Sequence, residues 1–463
     1  MLLRARVNCK SVFVQALLCS GLASLASHAS ASDTRSLLLM MPAGLDDSSM
    51  IFTYPGLAAE KSWVSMELGT PVDGAADNSN AYGGGLYSAD FGTLGLYVSR
   101  DASVMNERDS LIANSIDFVD AYMQDFYFSN KFASGLTPTP ARPLDLFYAR
   151  KVGPGALGVR MTWAGDYEKS KLPETTTENT ANQVDLQLGY SAPVASGKLD
   201  SSLRAGILGT IENKVKAEGN ETTSTYSRGI SLKLDVRYMQ PLNSTQQVFA
   251  KTGFLMESPN IEVKGGGVSQ DKDLNELQFD AQAGIIAKPR TNTTLAAGGA
   301  FFYSSTKGPF KLSGPANASI LPVLSQGEEK IEVSLDAGKS EKTAYGLLGT
   351  VGIESSLTER WALLAGLAYP IVGTVSVKDK VTEGNPSYEF RLSDAADATL
   401  WSFGVAYTYE NLRIDAGVNA KSLLHNGPQF ITGNATKAPV YMISGTYDFS
   451  KSTAAATPTA SLN

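Results

Sequence analysis

The sequence predicts an all-β fold, a transmembrane up-and-down antiparallel β-barrel of about 16 strands, with 14 strands as the alternative. Segments in which apolar and polar residues alternate recur along most of the chain. Such segments form strands with one apolar and one polar face, because successive side chains of a strand point to opposite sides. The connections between these segments alternate between short turns and long polar stretches. This pattern is typical of membrane barrels and has no obvious purpose in a soluble sandwich.

Residues 1–31 have the features of a secretory signal peptide. Basic residues precede an apolar run at 12–26, and Ala29-Ser30-Ala31 offers small residues for cleavage. The run is too short for the alternative, an N-terminal membrane anchor. Both cysteines of the chain, Cys9 and Cys19, lie in this segment. We therefore expect the mature protein to contain no disulfide and no cysteine metal site.

Composition argues against nucleic-acid binding and gives little support to catalysis. The formal net charge is −7, and removal of a signal peptide that carries only basic charges makes it more negative. An acidic chain is a poor partner for nucleic acid. Beyond the signal peptide the chain has a single histidine, His425, in an expected loop, so a Ser-His-Asp triad would have to use that one imidazole, and no HExxH motif occurs. We expect no enzyme activity, no cofactor and no metal site.

The hairpin at 144–164 shows the alternating pattern most clearly. Leu144, Leu146 and Tyr148 share one face of its first strand, and a Gly153-Pro154-Gly155 turn leads into the second. Two residues break the pattern, because Phe147 falls on the polar face and Arg150 on the apolar face. The same reasoning predicts 16 strands, at 62–69, 81–88, 93–100, 144–152, 156–164, 183–190, 199–211, 230–238, 247–256, 276–287, 294–303, 344–353, 360–369, 399–409, 412–421 and 440–449. Long polar connections are expected at 165–182, 212–229, 257–275, 304–343, 370–398 and 422–438.

The polar faces of these strands carry many charges. In a membrane barrel the polar face points into the lumen, so these side chains are expected to line it. The lumen-lining candidates are Asp145, Arg160, Asp185, Arg204, Lys233, Asp235, Arg237, Asp280, Arg413 and Asp415. Two interpretations remain open. The charges could line a water-filled channel, or they could form ion pairs that close the lumen around a plug.

The segment GLDDSSMIFTYPGLAAEKSWVSMELG (44–69) resembles the N-terminal part of FadL-type outer-membrane proteins. That family places an acidic pair, an apolar run and an Asn-Pro-Ala-Gly-Leu element in a hatch inside the barrel. Here Tyr54-Pro55-Gly56-Leu57 stands in the place of that element, with the Asn replaced and one small residue missing. The resemblance implies hatch residues Asp46, Asp47, Tyr54, Pro55 and Gly56.

The resemblance also implies a domain organisation and a function. The expected order is a signal peptide (1–31), a hatch (32–61), a barrel (62–449) and a polar tail (450–463). The implied function is uptake of small hydrophobic molecules across a bacterial outer membrane. The alternatives are a general diffusion porin and a non-transporting structural or secretion-partner barrel. Expected partners are outer-membrane lipid and lipopolysaccharide, the barrel-insertion machinery and a small-molecule substrate.

Residues 108–126 form the one stretch with helical rather than strand periodicity. The up-and-down order of the strands places this short helix in an extracellular loop. Its apolar face could pack on the barrel rim, or it could line a hydrophobic capture groove, as loop helices do in the family that the chain resembles. The groove candidates are Ile116, Val119, Tyr122, Met123 and Phe126.

Overall fold

The computed structural model describes residues 33–40, 42–45, 47–59, 61–69, 80–98, 144–171, 175–217, 220–227, 229–258, 260–265, 268–273, 275–313, 335–380, 388–391, 400–420 and 440–449. The signal peptide (1–31), the expected loop helix (108–126) with its five groove candidates, and the tail (450–463) lie outside these residues, as does Asp46.

The described strands form one antiparallel sheet. In chain order they are β1 (Trp63–Gly69), β2 (Asn80–Ala89), β3 (Gly92–Val98), β4 (Leu144–Val152), β5 (Gly155–Lys171), β6 (Thr175–Val194), β7 (Gly197–Ala217), β8 (Asn220–Ser227), β9 (Ser231–Asn243), β10 (Gln246–Glu257), β11 (Asn260–Gly265), β12 (Val268–Asp273), β13 (Asn275–Arg290), β14 (Thr293–Ser313), β15 (Leu335–Ser356), β16 (Trp361–Lys380), β17 (Tyr388–Arg391), β18 (Leu400–Tyr409), β19 (Leu412–Ala420) and β20 (Val440–Asp448).

The sheet closes on itself to form a 16-position barrel. The 20 strands fill 16 positions because four positions around the barrel are each occupied by two strands that follow one another along the same line. These pairs are β8 with β9, β10 with β11, β12 with β13, and β17 with β18. The last strand pairs with the first, from Trp63 opposite Asp448 to Gly69 opposite Met442. The Phe449 amide also donates a 2.7 Å hydrogen bond to the Ser62 carbonyl. The barrel is therefore 16-stranded, as predicted, and the alternative of 14 strands is wrong.

The outer face of the barrel is apolar and the inner face is polar, as the alternation of residues along the strands predicts. On β9, Leu234 is 46% exposed on the outside while Asp235, its neighbour, is 1% exposed on the inside. Exposed apolar side chains cover the exterior, among them Leu94, Leu96, Leu146, Leu186, Leu188, Leu203, Leu232, Leu363, Phe403, Val405 and Ile443. A continuous apolar surface of this kind is unfavourable in water but suits the hydrocarbon of a bilayer. Tyr148, Trp163 and Trp361 are among the exposed aromatic residues of this surface.

The strands continue well beyond the ends predicted from alternation. Strand β5 runs to Lys171 and β6 begins at Thr175, so most of the connection expected at 165–182 is paired strand. The segments 212–229, 257–275, 304–343 and 370–398 likewise contain strand. Most of these extensions are rich in polar residues, as at 165–182 and 220–227, so their alternation is weak. Threonine-rich sequence favours strand in them, and cross-strand ion pairs such as Lys169–Glu178 at 2.8 Å add to the pairing.

Residues 33–59, called the hatch below, lie inside the barrel. They contain the helix α1 (Asp33–Leu38), a short helix Met50–Thr53, and 3-10 turns at Pro42–Gly44 and Pro55–Ala58. Most of these residues are buried, including Leu38, Met40, Ile51 and Tyr54. None of the helices in the described parts of the chain is long and apolar enough to cross a membrane.

The orientation of β9 can be tested at Leu234. Leu234→Arg should block assembly of the barrel, because an arginine that faces the middle of a bilayer costs about 2–4 kcal/mol. Leu234→Phe keeps an apolar side chain at the same place and should assemble normally. Heat-modifiable migration in gel electrophoresis measures the assembled fraction of both variants. Equal assembly of the two variants would show that the outward assignment of Leu234 is wrong.

Candidate functional site

The hatch is the candidate functional site, because it occupies the lumen near the end of the barrel that carries the short turns. It contacts three regions of the wall: β15, β16 and β18 to β20 through α1, β10 and β13 through Pro42–Gly44, and β4 to β7 through Pro55–Ala58. These contacts lie around the whole circumference, so the hatch spans the lumen from one side to the other. Each of the three attachments combines apolar packing with buried polar groups.

The first attachment is a chain of alternating charges. Arg35 of α1 binds Asp47 of the hatch at 2.7 Å and Glu354 of β15 at 2.6 Å. Arg413 of β19 binds the same Glu354 at 2.9 Å and Asp415 at 2.8 Å. Three carboxylates and two guanidinium groups thus join the hatch to two strands. Because Glu354 binds both guanidinium groups, the ion pairs of the hatch and of the wall are coupled through this one carboxylate.

The same attachment has an apolar part. Leu38 and Leu39 pack with Leu45, Ala362, Leu364 and Ala406. The Ser402 hydroxyl of β18 donates a 2.6 Å hydrogen bond to the Leu38 carbonyl, which helix α1 leaves free at its C-terminal end. The wall thus supplies the hydrogen bond that the end of the helix lacks.

The second attachment is organised by Arg237, whose side chain is fully buried. Its guanidinium binds Asp200 at 2.6 Å and donates hydrogen bonds to the carbonyls of Leu45, at 2.9 Å, and Ala43, at 3.4 Å. It also lies 5.1 Å from the centre of the Tyr54 ring. Burial raises the pKa of the Tyr54 phenol, so that side chain stays neutral. A wall arginine therefore fixes the irregular backbone of the hatch.

The third attachment holds the backbone of residues 52–56. Arg160 binds Asp145 at 3.1 Å and donates a hydrogen bond to the Phe52 carbonyl, and Gln187 donates one to the Thr53 carbonyl at 2.7 Å. The Phe52 ring packs edge-on against two inward-facing wall rings, Tyr97 at 4.9 Å and Phe147 at 5.4 Å. Phe147 is one of the two residues that broke the alternation, and its contact with the hatch explains why an apolar residue faces the lumen.

Glycines allow the Pro55-Gly56 backbone to lie directly on the wall. A Cβ added to Gly158 of β5 would overlap the Pro55 carbonyl atoms, and one added to Gly189 of β6 would lie 2.6 Å from Pro55 Cδ. The two glycines face each other across paired strands. No larger residue fits at either position while the hatch is in place.

The residues predicted from sequence lie at this site or beside it. Asp47, Tyr54, Pro55 and Gly56 are buried in the hatch. The ten lumen-lining candidates all lie on the inward faces of their strands. Eight of the ten are buried, namely Asp145, Arg160, Asp185, Arg204, Lys233, Asp235, Arg237 and Asp415. The other two are mostly buried, since the side chains of Asp280 and Arg413 are 17% and 14% exposed.

The inward charges largely neutralise one another. Asp235 lies 3.4 Å from Lys233 and 3.9 Å from Lys251, and Lys251 lies 3.8 Å from Asp280. This burial supports the interpretation of a lumen closed by ion pairs around a hatch over that of charges lining open water. The sequence did not single out Arg35, Asp200, Gln187 or Glu354, which complete the network. Alternation placed Asp200 and Gln187 on the polar faces of their strands, and nothing in the pattern marked Arg35 or Glu354.

Comparison with known proteins adds little to this geometry. No family model and no curated protein matches the chain. Solved structures with a similar chain trace include a FadL homologue of Pseudomonas aeruginosa, which has 12% sequence identity and a TM-score of 0.41. The alignment covers 92% of this chain and 100% of that chain. The toluene transporter TodX of Pseudomonas putida has 9% identity and a TM-score of 0.37, with coverages of 92% and 99%. The toluene transporter TbuX of Ralstonia pickettii has 9% identity and a TM-score of 0.38, with coverages of 91% and 99%.

These structures belong to the group that residues 44–69 resemble. Similarities at this level carry no argument about what the chain binds or transports. Within the described residues, no group of three or more acidic, histidine or cysteine side chains could hold a metal ion.

The glycine contact can be tested with Gly158→Ala. The new methyl group overlaps the Pro55 backbone and should displace the hatch at a cost of about 1–3 kcal/mol. A single cysteine introduced at Ala58, which is fully buried, reports displacement through its rate of labelling by a charged maleimide. The rate should rise by about fivefold or more, the factor that corresponds to 1 kcal/mol. Gly445→Ala is the matched control, since a Cβ there meets nothing within 4 Å. Equal rates in both variants would contradict the contact.

The ionisation of Asp47 should make the attachment of the hatch depend on pH. Burial raises the pKa of Asp47 from 3.8 to about 6, although Arg35 opposes the shift. A carboxyl whose pKa is higher in the docked state stabilises docking fully below pH 3.8, and this contribution is lost as the pH rises through 6. The difference of about two pH units corresponds to about 3 kcal/mol.

Hydrogen–deuterium exchange of the hatch amides, corrected for intrinsic rates, should therefore show stronger protection at pH 5 than at pH 8. Asp47→Asn is neutral at every pH and should remove this dependence. Protection that increases with pH in the unmodified protein would contradict the predicted sign.

Proposed function

We propose that the protein is an outer-membrane channel for small hydrophobic molecules, in which the hatch must move before a molecule can pass. The observation that carries this proposal is the hatch itself, which spans a lumen whose charges are buried and paired. A general diffusion porin needs an open aqueous passage, and a plug of this kind works against that function. The apolar exterior and the expected signal peptide support a place in the outer membrane.

The hydrophobic character of the solute follows from what a solute would have to replace. A molecule can shift the hatch only if it binds the displaced state more tightly than the docked state. Ions and sugars offer nothing to the cluster of Ile51, Phe52, Tyr97 and Phe147, whereas an apolar molecule can occupy the surface that these side chains leave. Burial of its own apolar area then offsets the packing that the hatch gives up when it moves.

A reversible cross-link tests the proposal, because the mature chain is expected to have no other cysteine. A Cβ on Gly404 would overlap Leu38 Cδ1, so Leu38→Cys with Gly404→Cys should tie the hatch to β18. Entry of the apolar dye N-phenyl-1-naphthylamine into intact cells should fall to the background rate in the oxidised variant. A reductant should restore entry, and the Leu38→Cys variant, in which no cross-link can form, should behave as the unmodified protein under oxidising conditions.

A parallel measurement separates the alternatives. Proteoliposomes that contain the unmodified protein should not swell in a sugar solution, as they would with a diffusion porin. Dye entry that is indifferent to the cross-link would refute the channel proposal and favour a structural or secretion-partner barrel.

A further inference from the structure

The outer surface of the barrel carries an apolar groove of about 750 Å³ that the hatch does not explain. It crosses β15, β16, β18, β19 and β20 on the side that faces away from the lumen. Its walls are the large side chains Ile353, Leu363, Phe403, Val405, Val418 and Ile443. Its floor is formed by small residues, Ala365, Gly404, Ala416 and Gly417. The surrounding apolar exterior is a surface of large side chains, and this groove is a depression in it.

The floor of the groove is sealed from the inside. A Cβ added to Gly404 or to Gly417 would overlap the δ-carbons of Leu38 in the hatch. The same two glycines pair directly across β18 and β19. Only the thickness of the backbone therefore separates the groove from the hatch, and the groove is a closed binding surface rather than a passage into the lumen.

The position of the groove along the barrel axis selects one membrane leaflet. Leu363 pairs with Val405 and Ala365 pairs with Phe403, only a few residues above the short turn that ends at Arg360. The groove thus lies in the half of the membrane next to the short-turn end. A rise of about 3.3 Å per residue along a strand makes this distance suitable for the first part of an acyl chain whose headgroup lies at the turn.

The charges at that end suit a zwitterionic headgroup. Arg360 is exposed, with its guanidinium 5.2 Å from the Tyr409 ring, and Glu359 and Glu410 are exposed at the same end. The Trp361 and Tyr407 rings lie 4.8 Å apart between this end and the groove. The arginine can bind a lipid phosphate, while the two carboxylates can bind an ammonium group. Aromatic rings at this depth match the interface between headgroups and hydrocarbon.

We propose that the groove binds one acyl chain of a zwitterionic phospholipid from the leaflet at the short-turn side. The proposal needs a membrane-embedded barrel but is independent of transport. A second copy of the chain is the competing occupant. The charge pattern formed by Arg360, Glu359 and Glu410 favours the lipid, because it matches the phosphate and ammonium groups of one headgroup.

Native mass spectrometry of the full chain in detergent, titrated with palmitoyl-oleoyl phosphatidylethanolamine, tests the proposal. The protein should retain one lipid in preference to further lipids. Ala416→Phe fills the groove and should weaken this binding about tenfold, the factor expected when roughly two methylene groups are no longer buried. Ala297→Phe is the matched control, because Ala297 is also small, outward-facing and close to a short turn. It should bind lipid as the unmodified protein does.

The contribution of the lipid headgroup is measured with one further variant and one further lipid. Arg360→Gln should weaken phosphatidylethanolamine binding, and phosphatidylglycerol, which has no ammonium group, should bind more weakly than phosphatidylethanolamine. Heat-modifiable migration establishes that each variant is assembled. Equal lipid retention by Ala416→Phe and Ala297→Phe would overturn the proposal. So would a lipid-free dimer that Ala416→Phe abolishes, since a second copy would then occupy the groove.

Discussion

Charge buried inside the barrel is the constraint on which the rest of the structure depends. A buried ion is costly unless a partner of opposite charge and further hydrogen bonds compensate it. The barrel wall carries Glu354, Arg413 and Asp415 inward, so this cluster alone has two carboxylates for one guanidinium group. Arg35 of the hatch, which also pairs with Asp47, supplies the second guanidinium group by binding Glu354. The hatch is thus part of the folded core of the barrel, because its buried charge is paired with the wall.

The same constraint explains how an irregular segment can lie in a closed lumen. The hatch has only short helices and turns, so many of its carbonyl groups have no partner within it. Side chains of the wall supply the missing donors: Arg160, Gln187, Arg237 and Ser402 each bind a hatch carbonyl. Movement of the hatch breaks several such bonds together. A ligand or a change in pH must therefore act on a cooperative set of contacts.

The alternation of apolar and polar residues predicted the barrel strands well but predicted few of the contacts between the hatch and the wall. Alternation reports which face of a strand is apolar, so it located 16 strands and placed charges such as Asp185 and Lys233 on the inward side. It missed strand extensions in which polar residues predominate and the alternation is weak. It also could not connect Arg35 with Glu354, which lie far apart in the chain and meet only after the barrel closes. Phe147, one of the two exceptions to the alternation in its hairpin, was a local sign of a contact with the hatch.

Conductance in a planar bilayer tests most directly whether the hatch closes the lumen. We expect no steady ion current from the full chain, because the hatch spans the lumen and the inward charges are paired. A variant that lacks residues 33–59 should conduct steadily, provided that its barrel migrates as an assembled form in gel electrophoresis. A steady current from the intact chain equal to that of the deletion variant would show that the hatch does not close the lumen.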